Sequence, residues 1–433
     1  MFSSDLDTAR HPLSTRSWGI ILGSVIMVSV AAALVSARTI PFTLAVTVAA
    51  FISAALLRGK SDLVVPQFGT VSLVLGAFLL YASVSALWAI DPGVTLSKTA
   101  LAILIMFGTI VLSQLIASET RPNLFHMGEG VWIGLFVALI YFFIEIITEQ
   151  SIKIWVHNAL AIDPRNFRDA GHFTWSGDQV IAFARDDLAR SAAPVTLFIW
   201  PAVLAAQGTL VGPPRTIGAA VIVTLAGVVI MLSPHETSKL AFLAGLGVFG
   251  CAFSWPRFTA RLVAIGWVSA CLAVLPAALL AHRLDLQNAA WLQKSAQERI
   301  EIWHATAEEV FRAPVFGVGA RTTYVQSQQL RTRAEPDLKN PNLLSLSTHA
   351  HSVYLQTWYE LGFMGVMLLM LFGLSIVNAI KRLAGAVQPY AYATFTSAAV
   401  VAAFSYGMWQ TWFLAMFGFC VVLFSVGRSV SPK

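Results

Sequence analysis

Twelve runs of mostly apolar residues, each about as long as a bilayer is thick, constrain this chain of 433 residues more than any other feature. They fall at approximately 18–37, 40–57, 70–90, 98–117, 130–149, 189–207, 216–232, 237–254, 261–281, 352–380, 389–407 and 409–427. A helix crossing the hydrocarbon core needs about 20 apolar residues and must pair its backbone polar groups internally. Only 12% of the residues are charged, against roughly 25% in a soluble domain. So few charges cannot coat a globule of this size in water. The pattern predicts an all-α, polytopic integral membrane protein of about twelve transmembrane helices, and it excludes a soluble enzyme. Cys251, Cys271 and Cys420 all fall inside apolar runs and read as small hydrophobes, not as disulfides or metal ligands. Residues 1–17 are polar, and no small-residue cleavage site follows a short apolar core, so no cleavable signal peptide is expected.

Twelve spans with both termini in the cytoplasm sort the basic residues. The inside segments hold Arg10, Arg16, Arg58, Lys60, Arg121, Arg215, Arg257, Arg261, Lys381, Arg382, Arg428 and Lys433; the short outside turns hold only Arg38, Lys98 and Lys239. That is the positive-inside bias this orientation requires. The remaining basic residues lie in or beside two longer outer segments, which the rule exempts.

The first outer segment, about 150–188, mixes Arg165, Arg168 and Arg185 with acidic residues and with Trp155, Phe167 and Trp175. The second, 282–351, opens with AAWLQKSAQERIEIWHATAEEVFRAP, where Trp291, Leu292, Ile300, Ile302, Trp303 and Val310 recur at roughly helical spacing. Pro314 and the glycines of VFGVGA then break that helix, and Pro336 and Pro341 follow. With no internal repeat, the simplest organisation is one polytopic domain over 1–433 with 282–351 as a partly helical outer cap between spans 9 and 10.

Polar chemistry gathers where this cap returns to the membrane, in HAHSVYLQTWYELG from His349 to Gly362. Titratable residues at such a boundary are costly and mark places where a substrate is handled. A histidine there is neutral near pH 7 and can take a proton from a hydroxyl, which makes His351 a candidate base. A span starting near His351 places Ser352, Leu355, Tyr359 and Gly362 along one side, and Glu360, deeper, needs a partner or a water-filled cavity. The competing reading makes His349 and His351 interfacial polar residues with no chemical role. Four cations accompany them: Arg185 and Arg190 before the sixth span, Lys239 at the head of the eighth, and Arg299 on the cap helix. Such a cluster suits an anionic phosphate group, and the alternative is snorkelling to lipid phosphates. VFGVGA lacks the preceding strand and the following Lys-Ser/Thr of a nucleotide loop, and close packing or a tight turn explains it. No Walker motif, zinc-ligand spacing or paired acidic motif appears, so no cofactor, no metal and no nucleic-acid partner is expected.

The run His351, Ser352, nine residues, Gly362 resembles the H-[N/S/Q]-x9-G pattern of bacterial O-antigen ligases and the related O-antigen polymerases. Upstream, Arg299, Glu301, Trp303, Pro314, Gly317 and Gly319 are similar in order to that family's Arg, acidic-apolar, Trp, Pro and Gly-x-Gly stretch. The resemblance is strongest over 295–370. It implies an inner-membrane glycosyltransferase with a periplasmic active site, in which a histidine acts as base and arginines hold the diphosphate of a lipid-linked glycan. Carried over, His351 is the catalytic base and Arg190 and Lys239 are donor-binding cations; Arg299 and Arg185 of the outer-face cluster join them, with packing of the cap helix as the other reading of Arg299. Ser352, Gly362, Trp303, Gly317, Gly319 and His349 are motif or structural residues. The family places an arginine after a serine following the seventh span; here the pair is Ser238-Lys239, which keeps the charge and loses the bidentate fork.

The implied substrates are a polyprenyl-diphosphate glycan and either lipid A core, as in a ligase, or a second lipid-linked glycan, as in a polymerase. The H-S-x9-G fit and the large loop after span 9 favour the ligase. A secondary transporter of an anion or sugar is the reading from another class. It would show repeats and broken spans at mid-membrane, whereas the polar residues here gather at one face.

Overall fold

The computed structural model describes residues 15–163, 172–333 and 348–431; Arg10, Arg165, Phe167, Arg168, Pro336, Pro341 and Lys433, singled out above, lie outside them. In chain order the described helices are α1 Thr15–Val35, α2 Ile40–Leu57, α3 Thr70–Val84, α4 Pro92–Ala117, α5 Arg121–Ile147, α6 Ser151–Ala159, α7 Asp186–Thr209, α8 Pro213–Leu232, α9 Glu236–Ser254, α10 Pro256–Arg283, α11 Lys294–Val310, α12 Thr322–Arg333, α13 Val353–Ile380, α14 Gln388–Phe404 and α15 Thr411–Val430. A two-stranded antiparallel hairpin, β1 Phe173–Ser176 and β2 Gln179–Phe183, sits before α7. Among the described residues eleven helices are long and apolar enough to cross a membrane. The twelfth expected span is α14, whose 17 residues make it slightly shorter. The chain is an all-α, polytopic membrane protein.

Several helices start earlier than the apolar runs, α4 and α5 by the widest margins. Pro122 presets the first turn of α5, which therefore begins at Arg121 and not near 130. The Asp91 carboxylate accepts the Val94 N–H at 3.0 Å, a cap that starts α4 at Pro92 and draws Lys98 into the helix. The amphipathic run expected from 289 likewise becomes helical only at Lys294. Trp291 precedes α11 and is exposed, while Ile300 and Val310 are buried on its inner face.

The described residues form two compact units, one drawn from 1–67, 108–242 and 418–433 and the other from 68–107 and 243–417. In the first, α1 and α5 approach closely because glycines face each other. A Cβ on Gly130 would run into the carbonyl of Gly23, and one on Gly134 would meet that of Met27 at 2.6 Å. Small residues at such contacts let backbones close, which is how helices associate where lipid supplies no hydrophobic drive. The centre of this unit is α7, apolar all round and buried from Ala192 to Ala206. The hairpin is a small element with a core of Phe173, Val180 and Phe183. Asn158 of α6 pins it with two bonds to the Val180 backbone, both 2.9 Å.

In the second unit α13 packs against α3, α10, α11 and α14. Indole N–H groups fix the α10–α13 contact from both sides: Trp267 donates to the Met370 carbonyl at 3.1 Å, and Trp358 to that of Cys271 at 2.8 Å.

Candidate active site

His351 lies just ahead of α13, with its backbone in the left-handed region at φ 52°. That conformation is uncommon outside glycine and persists where surroundings over-determine it. Ser352 then caps the helix, its hydroxyl accepting the Leu355 N–H at 3.4 Å. The left-handed turn swings the half-buried imidazole toward the link between α14 and α15, where Nδ1 lies 2.8 Å from the Ser405 carbonyl oxygen. A carbonyl can only accept, so Nδ1 carries the proton and, in the neutral ring, Nε2 carries the lone pair.

Burial lowers the pKa of His351; the Ser405 carbonyl offsets this, and the Arg299 guanidinium lowers the pKa further. The net shift is below the ordinary histidine value and favours the neutral, proton-accepting ring. His349 stacks beside it with ring centroids 4.1 Å apart, and its own Nδ1 meets the Thr348 hydroxyl at 2.9 Å. Trp303, one turn beyond Arg299 on α11, donates its indole N–H to the Ala350 carbonyl at 2.9 Å. Residues at i and i+4 share a helix face, so the α11 face bearing Arg299 is held against the histidine segment.

Eleven residues along, Gly362 breaks α13 with φ 63° and ψ −165°. An unbroken helix would pair the N–H groups of Phe363 and Met364 with the carbonyls of Tyr359 and Glu360. Instead those N–H groups reach the Pro314 and Val315 carbonyls at 2.9 and 3.1 Å. The freed Tyr359 and Glu360 carbonyls accept from Val318 and Gly319 at 3.2 and 2.8 Å. The VFGVGA loop thus threads its backbone into the break, exchanging two helical bonds for four tertiary ones. Gly317 takes φ 70° there, and a Cβ on Gly362 would meet the Gly317 nitrogen and the Val315 carbonyl at 2.5 Å. Close packing is indeed what these glycines serve.

Glu360, fully buried, finds the partners its depth demands. Its carboxylate accepts from the Arg321 N–H at 2.8 Å, the Thr323 hydroxyl at 2.6 Å and N–H at 3.3 Å, the Gln356 amide at 2.9 Å and the Trp409 indole. It caps α12 as an anion at a helix N-terminus. Gln356 in turn accepts the Met408 N–H at 3.2 Å. The 405–410 link is therefore tied down at three points, Ser405 on His351, Met408 on Gln356 and Trp409 on Glu360.

The structure brings His351, His349, Ser352, Arg299, Trp303, Gly317, Gly319 and Gly362 together in the second unit. Arg185, Arg190 and Lys239 belong to the first. Arg190, half-buried in the second turn of α7, lines a cavity with Ser191. Lys239 pairs with Glu236 in the first turn of α9 at 2.8 Å. Arg185 is exposed, 3.8 Å from an equally exposed Glu149.

Residues 220–370 match the protein family described as O-Antigen ligase. That stretch is similar to the O-antigen ligase domain. The matched stretch spans Lys239, Arg299, Trp303, Gly317, Gly319, His349, His351, Ser352 and Gly362, and begins after Arg185 and Arg190. Two relatives named "Putative polysaccharide ligase" align over most of their length. One, from Rickettsia prowazekii, is 22% identical over 343 residues, 78% of this chain and 76% of its own. Another, from Rickettsia typhi, is 22% identical over 347 residues with the same coverage. A third, from Rickettsia conorii, is 26% identical over 189 residues, 41% of this chain and 44% of its own. The matched stretch thus lies in a multi-pass membrane protein that is similar over most of its length to the first two of these relatives.

Sequence reasoning missed Ser405, Trp409 and Arg321. Ser405 and Trp409 stand in SYGMWQ, a polar break between two apolar runs that gives no local sign of whom it touches.

Proposed function

We propose that the protein transfers a glycan from a polyprenyl-diphosphate carrier to a sugar hydroxyl at the periplasmic face of the inner membrane. The acceptor in this reading is lipid A core, which makes the reaction O-antigen ligation. The observation that carries it is the His351 imidazole, fixed through Nδ1 so that its basic nitrogen is Nε2, with a pKa held low enough to stay neutral.

In the mechanism that follows, Nε2 takes the proton of the acceptor hydroxyl as its oxygen attacks the anomeric carbon. The bond from that carbon to the diphosphate oxygen breaks, its electron pair leaves with the polyprenyl diphosphate, and the configuration inverts. The proton on His351 then passes to solvent or to the departing phosphate. Arg190, Lys239 and Arg299 are assigned to the charge gathering on the diphosphate, with Arg185 a peripheral contributor. Cations aimed at developing charge do for the leaving group what a metal does elsewhere, so no cofactor enters the scheme.

The test offers purified protein a synthetic polyprenyl-diphosphate glycan with lipid A core and, separately, with a lipid-linked acceptor, each with and without chelator. Transfer to lipid A core that survives chelation supports the ligase reading. Chain growth on the carrier instead makes the protein a polymerase, and transfer to neither acceptor overturns the proposal.

A further inference from the structure

Arg321 is a buried cation in the second unit, and the candidate active site uses only its backbone. It follows Gly319 and Ala320 and immediately precedes α12, with its own backbone left-handed at φ 68°. Three bonds hold it there. The Ala320 N–H donates to the Ser85 hydroxyl at 2.9 Å, the Thr95 hydroxyl to the Ala320 carbonyl at 2.7 Å, and the Arg321 N–H to Glu360 at 2.8 Å. A left-handed residue other than glycine persists where its surroundings impose it. The Arg321 side chain is 9% exposed, and its guanidinium lies over the Tyr324 ring, 4.1 Å from the centroid. Nε is buried without a hydrogen-bond partner. Neither Nη has one among the described residues, although both stay open to solvent.

A second cation faces the same place. Thr95 and Lys98 are one turn apart on α4 and share a face. The Thr95–Ala320 bond therefore turns that face toward Arg321, and the two charges act on each other. Lys98 is half-buried and pairs with no carboxylate among the described residues. The acidic neighbour of Arg321 is Glu360. Its carboxylate is engaged by two backbone N–H groups, the Thr323 hydroxyl, Gln356 and Trp409, and forms no ion pair with the guanidinium. A guanidinium cannot shed its charge near neutral pH, and burying one without acceptors is costly. A lysine beside it adds repulsion. An anion relieves both. Nε and one Nη form a side-on fork that matches two oxygens of a phosphate, and a lysine adds a point charge.

We propose that Arg321 and Lys98 form a phosphate site in the unit that carries His351, and that it takes one phosphate of the polyprenyl diphosphate. Nε and an adjacent Nη of Arg321 bond two oxygens of that phosphate, and Lys98 Nζ meets a third. Arg321 hangs by its backbone N–H from Glu360 of α13, the helix that His351 immediately precedes. Phosphate and imidazole are thus both referenced to one element. The identity of the lipid rests on the glycosyltransferase reading; the chemistry recognised is a phosphate oxyanion, which a phosphatidylglycerol headgroup also offers.

The experiment measures binding by the full-length protein in detergent to three probes: a polyprenyl diphosphate, the same polyprenol without phosphate, and phosphatidylglycerol. Arg321→Met and Lys98→Met should each weaken the diphosphate about tenfold or more, the loss of a charge-assisted bond, and leave the polyprenol unchanged. Arg321→Lys keeps the charge without the fork and should fall between wild type and Arg321→Met. Melting of the unliganded protein gives the second readout. Arg321→Met should melt at or above wild type, because an uncompensated buried charge is gone. An arginine that only supports the fold gives the reverse, a lower melting temperature with both polyprenyl probes weakened alike, and that result would overturn the proposal. Wild-type affinity for the diphosphate in Arg321→Met or Lys98→Met would overturn it too, as would phosphatidylglycerol competing as well as the diphosphate. If glycan transfer proceeds while these variants bind as wild type, this site fails and the transferase reading stands. If the variants lose the diphosphate while wild type transfers no glycan, the site stands and the transferase reading fails.

Discussion

The imidazole of His351 hangs from the carbonyl of Ser405, 54 residues further along the chain, through a 2.8 Å bond to Nδ1. That contact fixes the tautomer and leaves Nε2 as the nitrogen able to take a proton. It also makes the α14–α15 link a positioning element for the imidazole.

The pH profile should report the environment of His351. In the proposed mechanism its neutral form is the active one, and burial together with Arg299 depresses its pKa, partly offset by Ser405. The acid limb of kcat/KM is therefore expected below the ordinary imidazole value of about 6.5, with activity rising through it and level toward neutrality. Arg299→Met removes a like charge and opens the site to water, and both changes move the limb to higher pH. A limb that stays in place would show that Arg299 does not act on the histidine.

Gly362→Ala puts a side chain into a left-handed backbone and against the backbone of Val315 and Gly317. Thermal unfolding in detergent should show a loss of about 1–3 kcal/mol. Gly385→Ala, where a Cβ meets nothing within 4 Å, serves as the control and should be neutral. Combined with Gly317→Ala, the Gly362 change should be less than additive, because both glycines serve one contact.

Trp409→Phe removes an indole donor from Glu360 and loosens the link that carries Ser405. A lost buried bond to a charged group costs about 1.5–3 kcal/mol of stability. The more specific outcome is kinetic: kcat should fall while donor Kd changes little, since the change reaches the base and not the phosphate grip.

The cations should separate by environment. Among the described residues Arg185 forms only an exposed pair at 3.8 Å, and such pairs contribute little, so Arg185→Ala is expected to change donor Kd by less than about twofold. Arg190→Ala, at the cavity, should weaken donor binding roughly tenfold to a hundredfold.

Much of the architecture was readable from hydropathy, because a membrane span announces itself by length and apolarity alone. Eleven of the expected spans meet the length and apolarity of a crossing helix, and α14 marks the twelfth at 17 residues. Helix starts were less visible, since Asp91 and Pro122 set them from outside the apolar runs. The segment from His351 to Gly362 was legible as a pattern of residue types, but its geometry was not. The bonds from His351 to Ser405 and from Glu360 to Trp409 join residues 54 and 49 positions apart, and no periodicity encodes them. The break at Gly362 was hidden for a similar reason. A glycine in an apolar helix reads as packing until the loop that fills the break is known.

The most direct test of the account compares wild type with His351→Ala and His351→Gln in single-turnover transfer from a polyprenyl-diphosphate glycan, with donor affinity measured in the same preparations. The account expects transfer to fall about 10²–10⁴-fold in both variants, the usual contribution of a general base, with donor Kd nearly unchanged. Transfer within a fewfold of wild type in either variant would contradict it.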